Sequence, residues 1–128
     1  MGGTFHSSTT TQTTTWSVSV PGGSVGVGNR FTVEAEFDAP GTAAFTFNGV
    51  NVLIDPWPLE GVQPLVHLHV WRTGNNTALV RPWFGNGGGN VAMVPGGRFP
   101  VAGLNWNTGQ DFAIACVGCV LQRAGVAR

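Results

Sequence analysis

The strongest constraint on the fold is an alternation of apolar and polar residues with a period of two. In residues 31–37, Phe31, Val33, Ala35 and Phe37 alternate with three polar residues, which places the apolar side chains on one face of a strand. The same alternation recurs in residues 16–20, 65–72 and 112–116. Helical spacing of three and four is absent, and 20 Gly and 8 Pro interrupt every window. The chain is therefore expected to be all-β.

Turn signals divide the chain into about eight short strands. Asn48-Gly49 is the strongest short-range hairpin signal between two apolar runs, and Gly74-Asn75-Asn76 predicts a second hairpin. The segment 55–61 is expected to be a loop because of its two prolines, and residues 111–122 are expected to form one closing strand bent at Gly118. This pattern predicts a β-sandwich, of which the jelly roll is the most natural eight-stranded version.

The chain begins with a segment, residues 1–14, that consists mainly of Gly, Ser and Thr. Such a segment cannot bury enough apolar surface to offset its own ordering entropy. We therefore expect a flexible arm at 1–14, followed by one sandwich domain at 15–128, since this length fits a single core. The arm is either a disordered tail or a strand-forming element that becomes ordered on a neighbouring subunit, with Phe5 as its apolar contact.

The scarcity of charge is the most unusual feature of the composition. Only 9% of the residues are charged, against about 25% in a typical soluble domain. Such a surface must be covered by small polar residues or hidden against a partner, so contacts with other subunits are favoured. Six basic and six acidic residues cancel without forming a basic cluster, which disfavours nucleic acid and anionic membranes as partners.

Targeting signals are not evident in the sequence. The first residues lack the basic and apolar regions of a secretory signal, and no apolar run approaches the ~20 residues that cross a bilayer. We therefore expect synthesis in a cytoplasm.

Two histidines, His67 and His69, share one face of a predicted strand, as in several metal sites. A metal site needs further ligands, and His6 and Asp55 are only loose candidates. The alternation places Val66, Leu68 and Val70 toward the core, so His67, His69 and Trp71 are expected on the outer face. We expect solvated or interface histidines and no bound metal.

Cys116 and Cys119 lie three residues apart and resemble half of a zinc or redox motif. A zinc site would need a second pair, and a redox pair would need a helix N-terminus. Residues three apart point to opposite faces of a regular strand, so the thiols can meet only if Gly118 forms a bulge. Buried free thiols are expected. The six acidic residues form no matched catalytic set, so neither an enzyme nor a cofactor is predicted.

Five tryptophans in a chain without tyrosine call for an explanation. Trp57, Trp83 and Trp106 lie among Pro, Gly and Asn, where loops are expected. Exposed indole rings there would stack on sugars or anchor a protein interface, whereas buried rings would cover the ends of the sandwich.

In its small size, β pattern, Thr-rich arm and scarcity of charge, the chain resembles the capsid decoration, or cement, proteins of tailed bacteriophages. The resemblance covers the whole chain and lies in general character, not in a motif. It implies a virion protein on the capsid surface that binds the major capsid protein and copies of itself, as a dimer or trimer, and stabilises the shell.

Two other functions are compatible with the sequence. The first is a carbohydrate-binding, lectin-like module, in which the tryptophans at 57, 83 and 106 form a platform and nearby asparagines bind hydroxyl groups. These asparagines are Asn86, Asn90, Asn105 and Asn107. The second is a cupin-type metalloenzyme that uses His67 and His69.

Overall fold

Two antiparallel β-sheets pack face to face in the computed structural model, which describes residues 13–53, 57–86 and 94–127. The predicted all-β sandwich is confirmed. The described residues form eleven strands, where about eight were predicted, because several of the strands are only two or three residues long. They are β1 Thr15–Val20, β2 Arg30–Phe37, β3 Gly41–Phe47, β4 Val50–Asn51, β5 Trp57–Leu59, β6 Pro64–Arg72, β7 Ala78–Asn86, β8 Val94–Pro95, β9 Phe99–Val101, β10 Gln110–Val117 and β11 Leu121–Ala127.

Sheet I has the order β1-β10-β3, with β4 and β5 both paired to the far edge of β3. Sheet II has the order β11-β2-β6-β7, with β8 and β9 paired to the far edge of β7. The chain passes from one sheet to the other five times, so some neighbouring strands, such as β1 and β10 or β11 and β2, are distant in sequence. Strand β10 lies between β1 and β3, which do not pair with each other.

The core lies between the sheets and follows the predicted alternation. In β2, Phe31, Val33, Ala35 and Phe37 are all buried, as expected. An aromatic cluster occupies one end of the core, where the ring centroids of Phe31 and Phe47 are 5.8 Å apart in an edge-to-face arrangement. Such rings bury large apolar areas and add favourable edge-to-face contacts.

The predicted hairpins are confirmed. Asn48 and Gly49 both have positive φ angles, of 51° and 79°, as a two-residue turn between twisted strands requires. Strands β6 and β7 pair over their whole length, from Pro64 opposite Asn86 to Arg72 opposite Ala78.

The prediction of a loop over residues 55–61 is wrong for its central part. Strand β5 pairs with β3, with Pro58 opposite Thr42. A proline is tolerated here because β5 is an edge strand, so its missing N–H group faces away from the sheet. Residues 54–56 lie outside the described residues.

The prediction of one bent strand over residues 111–122 is also wrong. The chain turns at Gly118, whose φ is +76°, and β10 and β11 belong to different sheets. The carboxylate of Asp38 accepts a hydrogen bond from the backbone N–H of Val120 at 2.6 Å. The turn is therefore a crossing point between the sheets.

The last two residues assigned to the N-terminal arm are hydrogen-bonded to the sandwich. Thr13 exchanges backbone hydrogen bonds with Leu121, and the carbonyl oxygen of Thr14 accepts one from Cys116. Phe5 and the rest of the predicted arm lie outside the described residues. No helix in the described part of the chain has the length and apolarity to cross a membrane.

Candidate docking surface on the outer face of sheet II

The outer face of sheet II carries large aromatic and charged side chains. Along β6, buried residues alternate with half-buried ones, so the predicted placement of His67, His69 and Trp71 on the outer face is confirmed. Their burial pattern follows from the inward positions of Val66 and Leu68, which are almost fully buried.

Trp71 lies between two arginines from the neighbouring strands. Arg30 of β2 is directly opposite Trp71, and Arg81 of β7 is opposite His69. The guanidinium carbons of Arg30 and Arg81 lie 5.2 and 5.5 Å from the centroid of the Trp71 ring, within cation–π range. Neither guanidinium forms an ion pair with a carboxylate of the described residues.

His69 extends this arrangement along β6. Its ring stacks on Trp71 with the centroids 5.8 Å apart, and its Nδ1 lies 3.5 Å from the hydroxyl of Thr32. Burial lowers the pKa of His69, and the positive charge of Arg30 lowers it further, as does His67, while Glu34 opposes them. The local environment around Trp71 thus disfavours an added positive charge.

A groove of about 380 Å³ runs beside Trp71. Val27, which is 61% exposed, forms its aliphatic rim together with Leu79. The groove is lined by Val27, Gly28, Trp71, Arg72, Thr73, Leu79 and Arg81. We call this feature, together with the adjacent Arg30, the Trp71 groove. It combines an apolar wall with two exposed arginines, Arg30 and Arg81, and with the buried Arg72.

Strand pairing explains why the sequence did not reveal the arginines. Arg30, Trp71 and Arg81 lie on three strands, and only the register of β2, β6 and β7 brings them together. Their alternation with buried residues was a usable signal, because it placed all three side chains on outer faces. The pairing partners could not be read from that alternation.

The outer face of sheet I differs in that its side chains are small. It is formed by Ser17 and Ser19 of β1, Ala113 and Ala115 of β10, and their neighbours in β3. Val117, at the end of β10, is 74% exposed on this face. Among the described strands of sheet I, the charged side chain on this face is that of Asp111, which accepts a hydrogen bond from the Ser19 hydroxyl at 2.8 Å. This surface of small side chains offers little to bind a small ligand but permits close approach of another protein.

The three tryptophans that would form a platform in the carbohydrate-binding alternative lie in different environments. Trp106 is only 2% exposed, and its indole N–H donates to the carbonyl of Thr77 at 3.0 Å. Trp106 therefore covers one end of the core and belongs to no ligand surface. Trp83 is exposed on the outer face of sheet II. The three rings do not form one platform.

Trp57 lies at the open edge between the two sheets. Its ring stacks on Phe84 at 4.8 Å and meets Phe99 edge-on at 5.6 Å, so it joins β5 of sheet I to β7 and β9 of sheet II. A cleft of about 500 Å³ lies beside it, with Glu60 and Asn86 among its lining residues. Asn90, a predicted sugar ligand, lies outside the described residues, whereas Asn105 and Asn107 bond to each other near Trp106.

The two cysteines are buried and free, as predicted. The turn at Gly118 brings the two residues together, as the hydrogen bond from the Cys116 thiol to the carbonyl oxygen of Cys119 shows, at 3.1 Å. Burial, followed by the hydrogen bond with Cys116, raises the pKa of Cys119 to about 12. A thiol with such a pKa is unreactive at neutral pH because the thiolate is the nucleophile.

The histidines do not belong to a recognisable set of metal ligands in the described residues. His67 Nε2 lies 3.9 Å from the carboxylate of Glu34, but three or more metal-ligating side chains do not cluster anywhere in the described ranges. His6 and Asp55, the other candidate ligands, lie outside those ranges.

Comparison of the chain with models of protein families, with curated proteins and with solved structures gives no match. Its function must therefore be inferred from its own surfaces.

Proposed function

We propose that the protein is a virion structural protein that decorates and stabilises the capsid of a tailed bacteriophage. In this role it is made in the host cytoplasm and binds the major capsid protein and copies of itself on the capsid surface. The observation that carries the proposal is the outer face of sheet I, an area of small side chains with an exposed valine, Val117.

This face is suited to contact between copies or with a shell. Burying Ser, Thr and Ala side chains costs little side-chain entropy, and the scarcity of charge avoids large desolvation costs. Val117 supplies exposed apolar area, which favours association when it is buried. Many copies on one shell would turn such weak contacts into firm attachment.

The test is co-sedimentation of the purified protein with shells assembled from the major capsid protein of the same phage. Two exposed valines provide a matched pair of variants, because Val117 lies on the outer face of sheet I and Val62, which is 63% exposed, lies in the connection between β5 and β6. We expect Val117→Arg to sediment with shells at least tenfold more weakly, the effect of about 1.4 kcal/mol. Val62→Arg should bind as the unmodified protein does.

Two results would contradict this proposal. In the first, the unmodified protein stays in the supernatant at every shell concentration. In the second, Val62→Arg and Val117→Arg weaken sedimentation equally, which would show that the outer face of sheet I is not the specific contact face. Sedimentation velocity of the protein alone then reports whether Val117→Arg shifts a dimer or trimer toward the monomer.

A carbohydrate-binding module is the second candidate, and the cleft beside Trp57 favours it. Its volume of about 500 Å³ falls within the range of small-molecule sites, and Trp57, Glu60 and Asn86 offer a ring and polar groups. A saturable change in tryptophan fluorescence during titration with a glycan panel, lost in Glu60→Ala, would support this function. A flat response across the panel would reject it.

A further inference from the structure

We propose that the Trp71 groove binds a peptide segment in which an apolar side chain lies next to a carboxylate. The segment belongs to the partner protein, so the inference rests on the proposed function and names the chemistry of the contact. It concerns a different face from the sheet I surface that carries that proposal.

Charge complementarity identifies the acidic part of the segment. Arg30 and Arg81 both approach the ring of Trp71, and no carboxylate of the described residues pairs with them. The other exposed arginine on this face, Arg123, is already paired with Glu36 at 3.2 Å. Both guanidinium groups are positive, so a carboxylate bound in the groove beside Arg81 would also be attracted by Arg30 on the other side of the ring. Guanidinium groups bind carboxylates in a favourable planar geometry.

The groove wall identifies the apolar part of the segment. Val27 and Leu79 are aliphatic, and the face of an indole adds apolar area beside them. An aliphatic side chain that is buried here is removed from water, which favours binding. Hydroxyl groups of a sugar would lie mainly against the apolar side chains of Val27, Trp71 and Leu79, beside the one hydroxyl of the lining, that of Thr73. A peptide therefore fits the lining better than an anionic glycan.

Nucleic acid fits the groove less well than a peptide does. Two arginines give a small electrostatic footprint, whereas binding a phosphate backbone takes a basic stripe or patch. The chain as a whole has no net charge, so long-range attraction to a polyanion is weak.

The test uses a short fluorescein-labelled peptide that alternates leucine with aspartate, followed by fluorescence anisotropy. Its matched control replaces each aspartate by asparagine. We expect the aspartate peptide to bind and Arg30→Gln or Arg81→Gln to weaken binding about fivefold each, the upper range for a partly exposed charge pair. Arg123→Gln, on the same face, should leave the affinity unchanged.

Several outcomes would overturn the inference. Equal binding of the asparagine peptide would show that the carboxylate is not recognised. Equal weakening by Arg123→Gln would show that the peptide does not bind in the groove. Tighter binding of a sialylated oligosaccharide or of a single-stranded oligonucleotide, lost in Arg81→Gln, would assign the groove to that ligand instead. Thermal unfolding of each variant confirms that the folded protein is compared throughout.

Shell co-sedimentation separates this inference from the proposed function. If the aspartate peptide binds but the unmodified protein does not sediment with shells, the proposed function fails and the groove assignment stands. If the protein sediments with shells and Arg30→Gln/Arg81→Gln sediments equally well, the groove assignment fails and the proposed function stands.

Discussion

Two tryptophans of this protein lie beside arginines, one pair inside the molecule and one on its surface. Arg72 is only 8% exposed, and its guanidinium carbon lies 5.8 Å from the ring centroid of Trp106. Arg30 and Arg81 approach Trp71 at similar distances, on the outer face of sheet II. Tryptophan–arginine contacts thus occur both in the buried interior and on the solvent-exposed surface.

Hydrogen bonding distinguishes the two sites. The buried Arg72 donates from Nη1 to the carbonyl of Val25 at 2.8 Å and from Nε to that of Gly74 at 2.9 Å. Because Trp106 also donates to Thr77, the pair ties together three connections between strands. No hydrogen bond of this kind holds the surface arginines to the described residues. Hydrogen bonds thus fix the buried Arg72, whereas Arg30 and Arg81 contact Trp71 without such bonds among the described residues.

The largest expected effect is on the free energy of unfolding when the two tryptophans are each replaced by alanine. Trp106→Ala should destabilise the protein by about 3–5 kcal/mol, since a buried indole leaves a cavity and an unpaired carbonyl. Trp71→Ala should cost about 1 kcal/mol or less. Urea denaturation measures both, and equal losses would contradict the distinction.

A smaller effect is expected from the arginines. Arg72→Met should lower the free energy of unfolding by about 1–3 kcal/mol, because it leaves the carbonyls of Val25 and Gly74 without their donors. The gain from removing a buried charge limits the loss. Arg81→Met serves as the surface control and should change stability by about 0.5 kcal/mol or less. A neutral Arg72→Met would show that the carbonyls find other partners.

The smallest effect is the pH dependence of stability due to His69. Its pKa in the folded protein is lowered from 6.5, so the unfolded chain binds the proton more readily. Its contribution is complete above the unfolded value and is lost as the pH falls through the lowered folded pKa.

Melting temperatures measured across this pH range test the effect. The unmodified protein should melt at a higher temperature at neutral pH than under mildly acidic conditions, and His69→Gln should reduce the difference. His67→Gln is the matched control and should retain most of it, because burial and Arg30, the larger causes, remain. An unchanged pH dependence in His69→Gln would refute this assignment.

Local patterns predicted much of this fold because they depend on neighbouring residues. The alternation in β2, the Asn48-Gly49 turn and the outward face of β6 all follow from spacing alone. The failures at Pro58 and Gly118 have a common cause. Pro58 is tolerated because its strand lies at a sheet edge, and Gly118, with its positive φ, directs the chain into the other sheet. Both outcomes depend on the order of strands in the sheets, which the sequence does not reveal.

The docking surface was predicted only in part for the same reason. Trp71 was placed on the outer face from its own strand, but Arg30 and Arg81 come from strands that a one-dimensional pattern cannot align. Trp106 lies in a turn, as its Asn- and Gly-rich surroundings predict, and of the two alternatives that the sequence left open the structure shows the buried ring that covers the core. Burial of a loop residue is decided by tertiary packing.

The position of β10 between β1 and β3 has a consequence for biosynthesis. Ala113 of β10 is the strand-pairing partner of Ser17 in β1 and, on its other side, of Thr46 in β3. Neither pairing can form before Ala113 has been synthesised. Sheet I therefore cannot assemble on the ribosome until residues 110–117 have emerged, and pairings of such long sequence separation form slowly. Until then β1 and β3 each lack their shared partner strand and expose an unpaired edge, so a chain without β10 is prone to aggregation.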